Sequence, residues 1–189
     1  MSRARYVAQA GVIAAVYGAV TLLVEYLPFQ LGSGIVQFRV SEALTVLGLF
    51  TPAAIPGLTI GSVIANALNP SAVYPLSLLD VVFGSLGTFL GAWWMWRHRE
   101  RTGIALLGPV VANAVIVPAY LPVLLKGLGL YRIPLLGIDL NHGAWLSLYL
   151  FGVVAIGITE AIVVYGIGAP LSIALKRLGL AERLVSGRA

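Results

Sequence analysis

The charged residues of this chain lie almost entirely between long apolar runs. Six such runs, at 6–27, 41–51, 57–69, 76–96, 104–125 and 144–175, cover most of the 189 residues. Only 10% of the residues are charged and 59% are hydrophobic, whereas a soluble domain has about 25% charged residues. The sequence therefore predicts an all-α integral membrane protein, in which 1–189 form a single transmembrane domain and a six-helix bundle in the lipid bilayer.

The basic residues predict the orientation of this bundle. Nine of the twelve lysines and arginines lie at the N-terminus, in 97–101 or in the tail from Lys176 onwards, and the other three lie in the opposite connections. Because cytoplasmic loops carry the excess of Lys and Arg, both termini are expected in the cytoplasm. Topology thus accounts for the net charge of +5, and no nucleic-acid partner is predicted. The first run exceeds the roughly 7–15 residues of a signal-peptide core and is read as a spanning helix.

Two of the runs, 41–51 and 57–69, are too short to cross a bilayer as helices. At a rise of about 1.5 Å per residue they extend about 17–20 Å, whereas the hydrocarbon core is about 30 Å thick. A break that contains Pro52, Pro56 and Gly57 separates them. Short apolar segments interrupted by Pro and Gly, with polar groups at membrane depth, are typical of the solute site of a transporter.

Polar side chains from separate runs are predicted to meet in one pocket that opens outwards. The candidate substrate-binding residues are Gln37, Arg39, Glu42, Asn66, Asp80 and Glu160. An acid in a low-dielectric region is costly unless it is paired, so acids inside apolar runs are functional candidates by default. Aromatic residues such as Tyr120 would suit the wall of a pocket for a planar ligand, although Tyr and Trp also favour membrane interfaces.

Each candidate also has a structural alternative. Glu42 lies three residues after Arg39, which is the spacing of an ion pair along one helix. Asp80 lies near the start of the fourth run, where its charge suits a helix N-terminus. Glu160 has the alternative of a buried, protonated acid. For Asn66 and Asn113, the alternative is a hydrogen bond that holds two helices together.

The first run carries small residues on two neighbouring faces. Ala10 and Ala14 lie on one face, and Ala15 and Ala19 lie on the other. Small residues four apart let a second helix approach closely in a membrane. That second helix belongs either to this chain or to a partner, and the spacing alone does not decide between them.

No pattern for catalysis or metal binding is present in the sequence. The chain has no cysteine, and its two lysines, Lys126 and Lys176, lie outside any P-loop pattern. We therefore predict no catalytic residue, no metal ligand and no cofactor, and we expect neither an enzyme nor an ATPase. A small binding unit of this kind requires a partner that supplies the energy for uptake.

Three motifs resemble those of the queuosine-precursor transporter (QueT) family. They read QFRVSE at 37–42, PGLTIG at 56–61 with Asn66 beyond it, and LDVVFGSLGT at 79–88. The resemblance implies the substrate-binding subunit, or S-component, of an energy-coupling factor (ECF) transporter in a prokaryotic plasma membrane. It implies a deazaguanine solute taken from outside the cell, such as the aminomethyl or cyano precursor of queuosine, or queuine. The partners it implies are a transmembrane coupling subunit and two ATPase subunits.

The resemblance also suggests roles for two further parts of the chain. An Ala-x-x-x-Ala motif on the first helix of such subunits contacts the coupling subunit, and Ala10–Ala14 and Ala15–Ala19 both fit it. The connection 28–40 would gate the site. Three alternatives remain open: an S-component for another vitamin or nucleobase, a stand-alone proton-coupled carrier, and a small membrane enzyme that uses Asp80 and Glu160.

Overall fold

The computed structural model of the chain describes residues 2–26, 38–69, 74–127, 132–133, 138–139 and 145–186. The described part is helical except for two short strands, β1 (Arg132–Ile133) and β2 (Ile138–Asp139). These strands pair antiparallel, with Arg132 opposite Asp139 and Ile133 opposite Ile138. The predicted all-α class is therefore confirmed for the described residues, with this small hairpin as an addition.

Seven α-helices, one 3-10 helix and two π-helical segments make up the described bundle. The α-helices are α1 (Arg3–Glu25), α2 (Ala54–Ala67), α3 (Ser85–Arg97), α4 (Thr102–Gly127), α5 (Trp145–Val163), α6 (Ala169–Arg177) and α7 (Leu180–Ser186). The 3-10 helix is Val40–Leu49, and the π segments are Asp80–Gly84 and Val164–Gly168. These elements fall at the six predicted runs. The short α7 occupies the tail, for which no helix was predicted.

Three helices of the described residues are long and apolar enough to cross a bilayer. They are Arg3–Glu25, Thr102–Val123 and the continuous stretch Trp145–Arg177. The 23 residues of α1 extend about 35 Å at 1.5 Å per residue, which exceeds the hydrocarbon core of about 30 Å. The number of spanning segments and the side on which the termini lie stay predictions.

The second run is a 3-10 helix, where the sequence predicted an α-helix over 41–51. It has 10 residues, far more than the three or four that such helices usually reach. Its length of about 20 Å at 2.0 Å per residue is still too short to cross a bilayer. The Thr45 hydroxyl donates to the Glu42 carbonyl at 2.6 Å, so a side chain three residues ahead satisfies a backbone acceptor of this tight helix.

The third and fourth runs also differ locally from their predictions. Helix α2 starts at Ala54 rather than at Gly57, so Pro56 lies within its first turn. Proline is tolerated there because the first N–H groups of a helix have no intrahelical partner. In the fourth run, the π segment Asp80–Gly84 precedes α3.

The 3-10 helix lies at the centre of the bundle. None of its residues is exposed, and it contacts α1, α2, α3, α4, α5 and α6. Its apolar side chains pack with those of α3, α4 and α7, through Val46, Met95 and Leu106 among others. A polar residue on this helix is therefore surrounded by protein on every side.

The polarity of the bundle is the reverse of that of a soluble protein. Arg39, Glu42, Asn66 and Glu160 are buried, whereas many large apolar side chains on the outer faces of the helices are exposed. Buried charge with apolar exteriors is the arrangement expected of a protein surrounded by lipid. These four polar side chains therefore lie in the interior of the bundle.

Close packing of α1 on α2 depends on glycine. A Cβ atom added at Gly57 would lie 2.8 Å from the Ala10 carbonyl oxygen, and one added at Gly61 would lie 2.7 Å from that of Ala14. Both distances are shorter than a carbon–oxygen contact allows. One small-residue face of α1 is therefore used for packing within the chain.

Candidate functional site

Arg39 and Asp80 form an ion pair in the interior of the bundle. An Arg39 Nη2 atom lies 3.2 Å from Oδ2 and 3.3 Å from Oδ1 of the Asp80 carboxylate. Arg39 is the residue before the 3-10 helix, and Asp80 begins the π segment ahead of α3. The side chains are only 7% and 14% exposed. The pair thus joins two parts of the chain that are 41 residues apart.

Two further residues hold Asp80 in place. The Tyr120 hydroxyl, from α4, donates to Asp80 Oδ1 at 2.6 Å. The Asn66 amide, from the last turn of α2, donates to the Asp80 backbone carbonyl at 2.9 Å. Three residues from separate parts of the chain therefore contact this one acid, because its side chain and its backbone both accept hydrogen bonds.

Glu42 lies on the 3-10 helix and is completely buried. Its Oε1 atom accepts from the Tyr17 hydroxyl of α1 at 2.5 Å and from the Thr88 hydroxyl of α3 at 3.1 Å. Neither partner carries a charge that would neutralise the acid. The ion pair with Arg39 that the sequence allowed is not formed, because Arg39 pairs with Asp80 instead.

Hydroxyl groups connect the surroundings of Asp80 and Glu42. Ser62 accepts from Ser85 at 3.3 Å and from Thr88 at 3.4 Å. The Asn66 amide lies 3.5 Å from the hydroxyl oxygens of both serines. A continuous polar network thus runs from Asp80 to Glu42 across α2 and α3.

Glu160, from α5, is the third acid of the interior. Its Oε1 atom accepts from the Asn113 amide of α4 at 2.9 Å, and it interacts electrostatically with Glu42. Glu160 and Asn113 are both buried, with 4% of each residue exposed. The Asn113 amide therefore links α4 to this third acid in the interior of the bundle.

Three buried polar atoms of this region have no hydrogen-bond partner among the described residues. They are Arg39 Nε, Glu42 Oε2 and Asn113 Oδ1. A buried polar group without a partner costs about 1–3 kcal/mol, and more when it is charged. One donor and two acceptors are thus available to a molecule that enters the site.

Two glycines leave room for these groups. A Cβ atom at Gly84 would lie 2.8 Å from Asp80 Oδ1, and one at Gly87 would lie 2.5 Å from Asn113 Oδ1. Any side chain at either position would displace the polar group opposite. The glycines on this face of the fourth run therefore permit the close approach of the polar groups.

The structure brings together five of the six predicted substrate-binding residues: Arg39, Glu42, Asn66, Asp80 and Glu160. Gln37 and most of the predicted gate, 28–40, lie outside the described residues. The predicted set of substrate-binding residues did not include Tyr17, Thr88, Asn113 and Tyr120. Tyr17 contacts Glu42 from a position 25 residues earlier in the chain, and no spacing in the sequence indicates that contact.

The two small faces of α1 have different surroundings. Ala10 and Ala14 are buried against α2, whereas Ala15 and Ala19 are exposed. In this conformation only the second pair is accessible to another protein. Docking of a partner on α1 stays a prediction.

A comparison with protein families matches the QueT transporter family over residues 7–177. The match covers about nine-tenths of the chain. The chain belongs to the QueT transporter family. No match was found among curated proteins or among solved structures.

Membership confirms the resemblance that the three sequence motifs indicated. As a member of a transporter family with apolar helices long enough to span a bilayer, the QueT chain is a membrane protein that handles a small molecule. The polar interior is the part of this protein whose chemistry suits such a molecule. Its acids accept hydrogen bonds, its asparagines both donate and accept, and its arginine donates.

Proposed function

We propose that this QueT protein is the S-component of an ECF importer, and that it captures a deazaguanine precursor of queuosine from outside the cell. The observation that carries the proposal is the buried network around Asp80 and Glu42, with its unpartnered polar atoms. A transporter family supplies the class of function, and the network supplies buried hydrogen-bond donors and acceptors that a polar, planar solute would complement. We propose Gln37, Arg39, Glu42, Asn66, Asp80 and Glu160 as its binding residues.

The chemistry of a deazaguanine complements this network. Its guanine-like edge offers N–H donors from the ring and from the exocyclic amine, and one carboxylate accepts both. Its ring carbonyl accepts a hydrogen bond of the kind that Arg39 or an asparagine amide donates. A site built from buried hydrogen-bonding groups rejects analogues that lack the matching groups, because its own groups are then left unpaired.

The balance of charge favours the aminomethyl precursor over the cyano precursor. Three acids, Glu42, Asp80 and Glu160, lie in a region with one arginine, and that arginine is paired with Asp80. An aminomethyl group is a cation at neutral pH and would compensate a second acid. Glu42 is the acid whose Oε2 atom has no partner among the described residues, so we assign it to this group.

Uptake requires partners in this proposal. A transmembrane coupling subunit would dock on the exposed face of α1 at Ala15 and Ala19, and two ATPase subunits would supply the energy. Both termini would lie in the cytoplasm of a prokaryotic cell, with the protein spanning the plasma membrane several times.

Binding to the purified protein tests the proposal. We expect the aminomethyl and cyano precursors to bind in isothermal titration calorimetry, with the aminomethyl form binding more tightly, and riboflavin and biotin to bind far more weakly. The Thr59→Val variant is the control, because among the described residues the Thr59 hydroxyl donates only to the Ile55 carbonyl of its own helix. Binding of riboflavin or biotin in place of the precursors would overturn the assignment of the solute. Uptake by liposomes that contain this chain alone would overturn the ECF assignment.

A further inference from the structure

A second candidate binding site lies on the outside of the bundle, between α3 and α4. It is an apolar groove with a volume of about 320 Å³, which is within the range of about 300–1,000 Å³ typical of small-molecule sites. The residues that line it include Leu90, Trp93, Trp94, Leu107, Val111 and Ala112. We call this feature the α3–α4 groove. None of the solute-binding candidates lies in it.

The floor of the groove is held in a fixed position. The Trp94 indole N–H donates to the Ile104 carbonyl at 2.9 Å, which joins the end of α3 to the beginning of α4. A Cβ atom at Gly108 would lie 2.4 Å from the Trp94 ring, so the ring rests directly on the α4 backbone. His98 packs on the same ring, with 4.1 Å between the ring centroids. The α3–α4 groove is therefore formed by the packing of α3 against α4.

Positive charge lies at one end of the groove. Arg97 follows Trp93 by four residues and Trp94 by three, so it lies on the same face of α3, one turn beyond them. Arg101 lies just ahead of α4, and both arginines are exposed. Arg99 is turned to Trp96 instead: its guanidinium lies 4.0 Å from that ring and donates to the Trp96 carbonyl. The connection also carries one acid, Glu100, so its net charge remains positive.

We infer that the α3–α4 groove binds an anionic phospholipid of the surrounding bilayer. An acyl chain would lie along Leu90, Trp93 and Val111, and the phosphate would meet Arg97 and Arg101. Arginine binds phosphate through parallel charge-assisted hydrogen bonds. Basic residues beside a cleft between transmembrane helices are a recognised arrangement for anionic headgroups. The two halves of the site thus match the two halves of one lipid.

A partner helix is the competing occupant, and the charge argues against it. A helix in an apolar groove would gain nothing from two exposed arginines at the groove's end, unless it carried acids at the same level. An anionic phospholipid carries its charge at that level, because its phosphate lies at the membrane interface, next to its acyl chains. The lipid therefore explains both the apolar lining and the basic end.

Quenching of tryptophan fluorescence by brominated lipids tests this inference. The full chain with Trp96→Phe and Trp145→Phe retains only the two groove tryptophans of its four. In phosphatidylcholine bilayers, we expect phosphatidylglycerol with brominated chains to quench at an approximately fivefold lower mole fraction than brominated phosphatidylcholine does. The double variant Arg97→Gln/Arg101→Gln should bring this ratio to about one. The control Arg3→Gln/Arg5→Gln, which removes the two arginines at the N-terminus, should leave the ratio unchanged.

A second variant tests the apolar half of the site. Ala112→Phe fills the groove and should remove the preference for phosphatidylglycerol, whereas Val154→Phe, on the exposed face of α5, should not. An equal response to both lipids in the parent protein would overturn the inference, as would a preference that survives in Arg97→Gln/Arg101→Gln or in Ala112→Phe. Equal quenching by both lipids that is relieved when the coupling subunit is added would assign the groove to a partner helix.

Discussion

Arg39 and Asp80 pair at 3.2 Å in the interior of the bundle, although 41 residues separate them in the chain. Arg39 precedes the 3-10 helix and is not part of it, with backbone angles of φ −82° and ψ 84°. Its side chain therefore does not follow the helical face on which Glu42 lies. The pair leaves Glu42 without a basic partner in direct contact and so leaves that acid available to a solute.

Replacement of Asp80 by asparagine should weaken both the fold and the binding of solute. It leaves the Arg39 charge buried without a counter-ion, and loss of one partner of a buried pair typically costs about 3–5 kcal/mol. We expect a lower midpoint of thermal unfolding in detergent and at least about hundredfold weaker binding of the aminomethyl precursor. Glu100→Gln, at an exposed acid, is the control and should change neither. Unchanged affinity in Asp80→Asn would remove Asp80 from the site.

Replacement of Glu42 by glutamine should discriminate between the two precursors. The amide oxygen can still accept from Tyr17 and Thr88, so the variant should fold, but the negative charge is lost. We expect affinity for the cationic aminomethyl form to fall about tenfold more than affinity for the neutral cyano form, because hydrogen bonds to charged groups are worth about 1.5–3 kcal/mol. Calorimetry with both compounds measures this ratio. Equal losses would show that Glu42 does not meet the aminomethyl group.

A methyl group at Gly87 should disturb the site without removing any polar residue. Its Cβ atom would lie 2.5 Å from Asn113 Oδ1, so Asn113 must move and its hydrogen bond to Glu160 is disrupted. Overpacking of this kind costs about 1–3 kcal/mol. The matched control is Gly166→Ala, at which no atom lies within 4 Å of the added group. A Gly87→Ala protein with the stability and the affinity of the parent would contradict the described geometry.

Leucine at Ala14 and leucine at Ala15 should have different effects. Ala14 is buried against α2 and Ala15 is exposed, so the first variant should lower stability and the second should not. If the exposed face docks a coupling subunit, Ala15→Leu should bind solute normally and lose most of its uptake in vesicles that also contain the partners. Normal uptake by Ala15→Leu would move the docking surface to another part of the chain.

The sequence alone located the apolar helices and most of the acids and amides of the polar interior. Apolar runs and the scarcity of charge locate helices well, because only helices and closed barrels satisfy backbone groups in lipid. A charged residue near the end of an apolar run must also turn inwards or pair, and this predicted the convergence of Arg39, Asn66 and Asp80.

The partners of the acids could not be predicted in the same way. Tyr17 meets Glu42 across 25 residues and Thr88 meets it across 46, and no local spacing encodes such contacts. The 3-10 geometry of Val40–Leu49 was also not predicted. A helix that is buried on all sides has no polar face, so its sequence shows no hydrophobic period that would distinguish a 3-10 helix from an α-helix. Helix type there depends on what surrounds the segment.

The π segment Asp80–Gly84 has a consequence for the alignment of the site. Eight residues separate Asp80 from Thr88, and in an uninterrupted α-helix they would differ in direction by about 80°, since two turns take 7.2 residues. Wider turns reduce this angular offset, so that the acid and the threonine both point towards the interior. Deletion of one residue between them would leave a separation of seven residues, which an uninterrupted α-helix turns through about 700°, so the two side chains would stay within about 20° of each other without any π-helical winding.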